Sequence, residues 1–141
     1  GKVVLSQVCT KEYERCLELA EISGCLLRDA EEEVLGLDHS EVGAWLAERW
    51  KLPPGVQAAI RHHHATGNTR KEREAALITQ LGDIFARALQ VGSGGDLTIP
   101  RIEAGVAADV KLTPDLLDSL VGGFVQDLHN AADFFDMIEE S

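Results

Sequence analysis

From Tyr13 to Ile138 the apolar residues recur at intervals of three and four, and this spacing constrains the chain more than any other feature, because only a helix gathers such positions onto one face. Tyr13, Cys16, Leu17 and Ala20 form the first stripe, and Gly24 follows where a left-handed helix terminus is tolerated. Asp29-Ala30-Glu31-Glu32 has the form of a capping box opening a short helix that Gly36 closes, and Asp38-His39-Ser40-Glu41 repeats the form. Val42, Trp45, Leu46 and Trp50 supply the stripe of the next helix, which Leu52-Pro53-Pro54 ends while presetting its successor. Val56, Ala59, Ile60 and His63 mark that successor, expected to run to about Ala65-Thr66-Gly67-Asn68. Thr69 caps a further one, with Leu77, Ile78, Leu81, Phe85 and Leu89 as its stripe to about Val91, before the flexible loop Gly92-Ser93-Gly94-Gly95. Ile102 and Val106 indicate a short helix. Thr113-Pro114 opens a long last one carrying Leu117, Leu120, Val121, Phe124, Leu128, Ala131, Phe135 and Ile138. No strand-like alternation, repeat or low-complexity tract interrupts the pattern, so the expectation is an all-α bundle of about six to seven helices.

At 141 residues the chain fits one domain, and 45% hydrophobic with 26% charged residues is the composition of a folded globular protein. Thirteen Lys and Arg against 24 Asp and Glu give a net charge of -11, which repels phosphate backbones and anionic membrane surfaces. The basic residues between Arg61 and Arg73 are interleaved with histidines and Glu72 and form no basic patch, so nucleic acid is not an expected partner. Cys9, Cys16 and Cys25 are odd in number and lack a CxxC spacing, which argues for reduced packing residues rather than disulfides or a zinc finger. There is no signal-peptide pattern or membrane-length apolar run, and a cytoplasmic location is expected. The opening Gly1-Lys2-Val3-Val4-Leu5 has no capping residue ahead of it and reads as the middle of an element, with chain expected upstream.

Chemistry concentrates between residues 35 and 89, where three consecutive helices carry His39, His62 to His64 and Asp83. His39, just after its Asp38 cap, shares a face with Val42, Gly43 and Leu46 and therefore points inward, either as a hydrogen-bonded core residue or as a ligand. Gly43 costs about 1 kcal/mol of helix stability relative to Ala, which implies close approach by another element. Of the three adjacent histidines, His63 and His64 lie on or beside the apolar face and are candidate metal ligands; the alternative is a polar helix end facing solvent. Asp83 projects away from Leu81 and Phe85, beside Ala76, Thr79 and Ala86, either paired on the surface with Arg87 or buried under a second helix.

The run "EEEVLGLDHSEVGAWLAERWKLPPGVQAAIRHHH" from Glu31 to His64 resembles the HDOD domain, a signalling branch of the HD superfamily of bacterial metal-dependent phosphohydrolases. The likeness continues through "EAALITQLGDIFARAL", similar to the superfamily helix that carries its last aspartate, and more loosely to the terminal helix. It implies an HD-superfamily-like bundle forming a single domain over residues 1–141, the C-terminal part of a larger domain. It also implies that His39, His63, His64 and Asp83 occupy metal-ligand positions. The superfamily's adjacent His-Asp pair is absent here, and Gly1-Lys2 resembles the residues that often follow it. Ala65-Thr66-Gly67-Asn68 stands where the cyclic-di-GMP-degrading branch has Gly-Tyr-Pro.

Too few ligands then remain to fix a dinuclear metal site. The resemblance therefore implies a regulatory signal-transduction module with no catalytic residues and no cofactor in this form. A divalent transition metal (Fe, Mn or Zn) is expected only in the complete domain. Its expected partners are other signalling proteins or a second copy of itself. The competing expectation is an HD-type metal-dependent phosphohydrolase acting on a phosphoester or nucleotide.

Overall fold

A computed structural model describes residues 1–64, 70–102, 111 and 113–139, with the side chains of 70, 71 and 132–139 left aside. Seven helices follow one another among these residues, and no strand: α1 (Lys2–Val8), α2 (Thr10–Ser23), α3 (Leu27–Leu35), α4 (His39–Arg49), α5 (Pro54–His62), α6 (Arg70–Ala88) and α7 (Pro114–Glu139). The all-α expectation holds. The predicted cap at Thr69 and the short helix from Ile102 through Val106 fall largely outside the described residues.

The chain divides into two compact units, Gly1–Arg101 and Ile102–Ser141. In the first, α1 packs on α2 and α4, and each of the pairs α2–α3, α4–α5 and α5–α6 packs together. Its core is built from Leu5, Tyr13, Cys16, Ala20, Leu27, Ala30 and Val42, all nearly removed from solvent. Cys9, Cys16 and Cys25 are free thiols, with Cys16 wholly buried as a packing residue. In the second unit, Pro114 opens α7 and the Thr113 hydroxyl accepts from the Leu116 amide at 3.2 Å, the expected cap. Among the described residues no helix is long and apolar enough to cross a membrane.

Glycine sets two helix ends where the sequence places them: Gly24 at φ 63° after α2 and Gly36 at φ 74° after α3, conformations that cost other residues strain. Three expectations are corrected. The first concerns the start of α3, which begins at Leu27, two residues before the proposed Asp29 cap. Its N-terminus is satisfied from far along the chain, because the Leu27 amide donates to Asp96 Oδ2 at 3.0 Å. The same Asp96 holds Arg87 at 2.6 Å, Lys2 donates to the Gly94 carbonyl at 2.6 Å, and the Thr98 hydroxyl donates to the Gly24 carbonyl at 3.1 Å. The glycine-rich loop is thus tied to three helices rather than left loose.

The second correction concerns α4, whose inward face is Ser40, Val42, Gly43, Ala44 and Ala47, while Trp45 and Trp50 are 54% and 67% exposed. Two neighbours approach this helix closely, and small residues admit them where tryptophan would not. A Cβ placed on Gly43 would lie 2.8 Å from Cγ2 of Ile60, the close approach that the glycine implied.

The third concerns α6. It buries Ala76, Ile84 and Phe85, leaves Ile78 72% exposed and ends at Ala88. The inward face is rotated toward Asp83 and Arg87, because Arg87, with 9% of its side chain exposed, finds carboxylates at Asp83 and Asp96 and a carbonyl at Thr98. A buried guanidinium so fully paired no longer requires the purely apolar stripe to face in.

Candidate metal centre

α4 starts at His39 because Asp38 in extended conformation accepts from the amides of Ser40 at 2.8 Å and Glu41 at 3.0 Å. Burial pushes the Asp38 carboxyl up, but hydrogen bonds from the Ser40 hydroxyl and the Glu41 and Ser40 amides outweigh it and leave it below its ordinary value. His39, the first helical residue, has an amide with no intrahelical acceptor, and Glu31 provides one from α3 at 2.8 Å. Glu31 is wholly buried, since Leu27, Ala30 and Glu31 lie at i, i+3 and i+4 on the face that α3 turns to the core.

The same Glu31 Oε2 lies 2.6 Å from His39 Nδ1, while Oε1 is buried with no hydrogen-bond partner. An oxygen that already accepts from the His39 amide also accepts from Nδ1–H, which leaves the His39 Nε2 lone pair free. His63, the residue that ends α5, has Nδ1 at 2.8 Å from the Ile60 carbonyl; a carbonyl can only accept, so Nε2 of His63 is likewise a lone pair. His64 lies past the helix end, where Arg28 donates to its carbonyl at 2.6 Å. Its Nε2 is 2.8 Å from Nε2 of His39, and Nε2 of His63 is 3.3 Å from the same atom.

Three ligand nitrogens thus lie within 4.8 Å of one another. Burial lowers the pKa of His63, partly offset by the Ile60 carbonyl, and drops His64 to about 2, helped by His63, His39 and the Arg28 cation. Both stay neutral, as a ligand must. The donor set fits a divalent transition metal. Imidazole nitrogens ~2.0–2.1 Å from a zinc ion stand roughly 3.0–3.4 Å apart, so the 3.3 Å pair already matches, the 2.8 Å pair must open slightly, and the His63–His64 pair, within 4.8 Å, must come to the same range. The under-compensated Glu31 carboxylate behind His39 supplies negative charge and the carboxylate–histidine support typical of metal sites.

His39, His63 and His64 are therefore brought together, and His62 on the last turn of α5 is not part of the group. Asp83 is not part of it either. Its carboxylate is 2.9 Å from Nε of Arg87, the partner expected from the i,i+4 spacing, but the pair is largely buried rather than on the surface, and its charge raises the His63 pKa. Sequence reasoning missed Glu31, reading it inside a capping box, although its i+4 spacing from Leu27 carried the signal. It also missed Arg28 and Asp96, whose partners lie 36 and 69 residues away and left no local trace.

Residues 1–66 match the family model described as HDOD domain. No curated protein and no solved structure is significantly similar to the chain.

Proposed function

Residues 1–66 belong to the HDOD domain family, and from that premise we propose that the protein is a non-catalytic regulatory module whose histidine cluster takes one divalent transition metal. The observation that carries this reading is the convergence of the His39, His63 and His64 Nε2 atoms, with two of the three tautomers fixed by acceptors at Nδ1. His39, His63 and His64 would hold the ion, and Glu31 would orient His39. An ion so held would link α4 to the end of α5, so that loading changes the order of both, which is what a relay requires.

The competing reading is a phosphohydrolase. It draws on the same three imidazoles, since a divalent ion can polarise a phosphoryl oxygen and activate water. What speaks for the regulatory reading is Asp83: the carboxylate a hydrolytic centre would use is engaged by Arg87, itself anchored by Asp96.

The test is cobalt, zinc and manganese uptake by the full chain and by His64→Ala, with turnover of a generic phosphodiester measured alongside. Stoichiometric uptake lost in the variant, with no His39-dependent turnover, is the expected result. His39-dependent hydrolysis would establish the competing reading, and failure to take up any of the three ions would end both.

A further inference from the structure

The first turn of α3 is held from one side by the loop after α6. Leu27, the first residue of the helix and 1% exposed, donates its amide to Asp96 Oδ2 at 3.0 Å. A Cβ placed on Gly95 would lie 2.6 Å from Cδ2 of the same leucine, and Gly95 stands at φ 92°, so the loop backbone passes closer to α3 than a side chain would allow. Asp96 is itself fixed. Its Oδ1 accepts from Arg87 at 2.6 Å and from the Thr98 amide at 3.0 Å, which leaves Oδ2 for the helix.

From its other side the same turn reaches the histidine cluster. Arg28, the second residue of α3, donates to the His64 carbonyl at 2.6 Å, and Glu31, the fifth, accepts from the His39 amide and faces its Nδ1. One short helix thus holds two of the three ligand residues. The first amides of a helix have no intrahelical acceptor, so a cap decides how firmly that turn stays formed. Leu26, which precedes α3, has no side-chain oxygen to offer, and Asp96 supplies the cap instead.

We infer that Asp96 is a positioning residue for the metal centre, acting through the first turn of α3 on Arg28 and Glu31 and so on His64 and His39. This rests on the metal reading above and names what sets the affinity of that same site. Coupling of this kind is reciprocal: a cap that strengthens metal binding is strengthened by the metal by the same factor.

The experiment measures zinc affinity of the full chain by chelator competition, beside Asp96→Ala, Asp96→Asn and Ala20→Gly. The last weakens the buried side of α2 and leaves the first turn of α3 alone. All are compared where circular dichroism shows them folded. Asp96→Ala should bind zinc about 2–30-fold more weakly. Asp96→Asn, which keeps a capping oxygen, should recover most of that loss, and Ala20→Gly should bind as the unaltered chain does. Zinc should also slow amide hydrogen exchange at Leu27 and Thr98 in the unaltered chain, a measurement that decides the matter alone if Asp96→Ala does not fold. Zinc binding that leaves the Leu27 exchange rate unchanged, or that Ala20→Gly weakens as much as Asp96→Ala does, overturns the inference and leaves the metal reading standing. Absence of zinc binding by the unaltered chain removes both.

Discussion

Replacing Glu31 by alanine isolates the contribution of the carboxylate that joins α3 to the histidine cluster. In the native structure its Oε2 serves two buried donors of His39, the amide at 2.8 Å and Nδ1 at 2.6 Å. Glu31→Ala leaves both without an acceptor where water does not reach, at about 1–3 kcal/mol each, so the expected loss is roughly 2–6 kcal/mol. Glu31→Gln behaves differently. Its amide oxygen can take the place of Oε2 and keep both bonds, while its amide nitrogen occupies the position where Oε1 has no partner, so the loss stays below about 2 kcal/mol. Urea denaturation followed by tryptophan fluorescence reads the difference: at a slope of about 2 kcal/mol per M, the alanine midpoint falls by roughly 1–3 M and the glutamine midpoint by less than half as much. If metal is bound as proposed, Glu31→Gln also weakens it about 10–100-fold. An alanine variant with an unchanged midpoint, or a glutamine variant less stable than the alanine one, would refute this account of the carboxylate.

Asp96→Ala leaves the Arg87 guanidinium, 9% exposed, with Asp83 and the Thr98 carbonyl as its remaining partners and uncaps α3 at Leu27, so thermal denaturation should show a loss of about 1–3 kcal/mol, with Asp96→Asn intermediate. Gly43→Ala gains about 1 kcal/mol of helix propensity but drives a methyl into Ile60, at about 1–3 kcal/mol, and should come out destabilised in urea. Stability should also fall in mild acid. Unfolded histidines take up protons below about pH 6.5, while the folded pKa values of His63 and His64 are lowered, so their contribution is complete above that pH and lost as pH falls toward the folded values. Urea midpoints at neutral pH and near pH 5 measure this, and His64→Gln should reduce the difference.

Features set by local chemistry were legible in the sequence. Helix periodicity, the Asp38 and Thr113 caps, the glycine ends at 24 and 36 and the proline start of α5 each depend on residues within one turn of one another, and each stands in the structure. Local spacing also put His39 on an inward face and His63 beside Ile60, enough to suspect a cluster. Which face of a helix turns inward was another matter. Trp45, Trp50 and Ile78 are apolar at helical spacing yet exposed, because close neighbours on α4 favour small residues and a paired Arg87 lets α6 bury a charged side. It took the folded arrangement to establish that Asp96 caps α3, that Arg28 holds the His64 carbonyl, and that Glu31 fixes the His39 ring. Hydrogen bonds and ion pairs are short and directional, so they form wherever packing brings a donor to an acceptor. The separation of those partners along the chain leaves no pattern for a sequence to display.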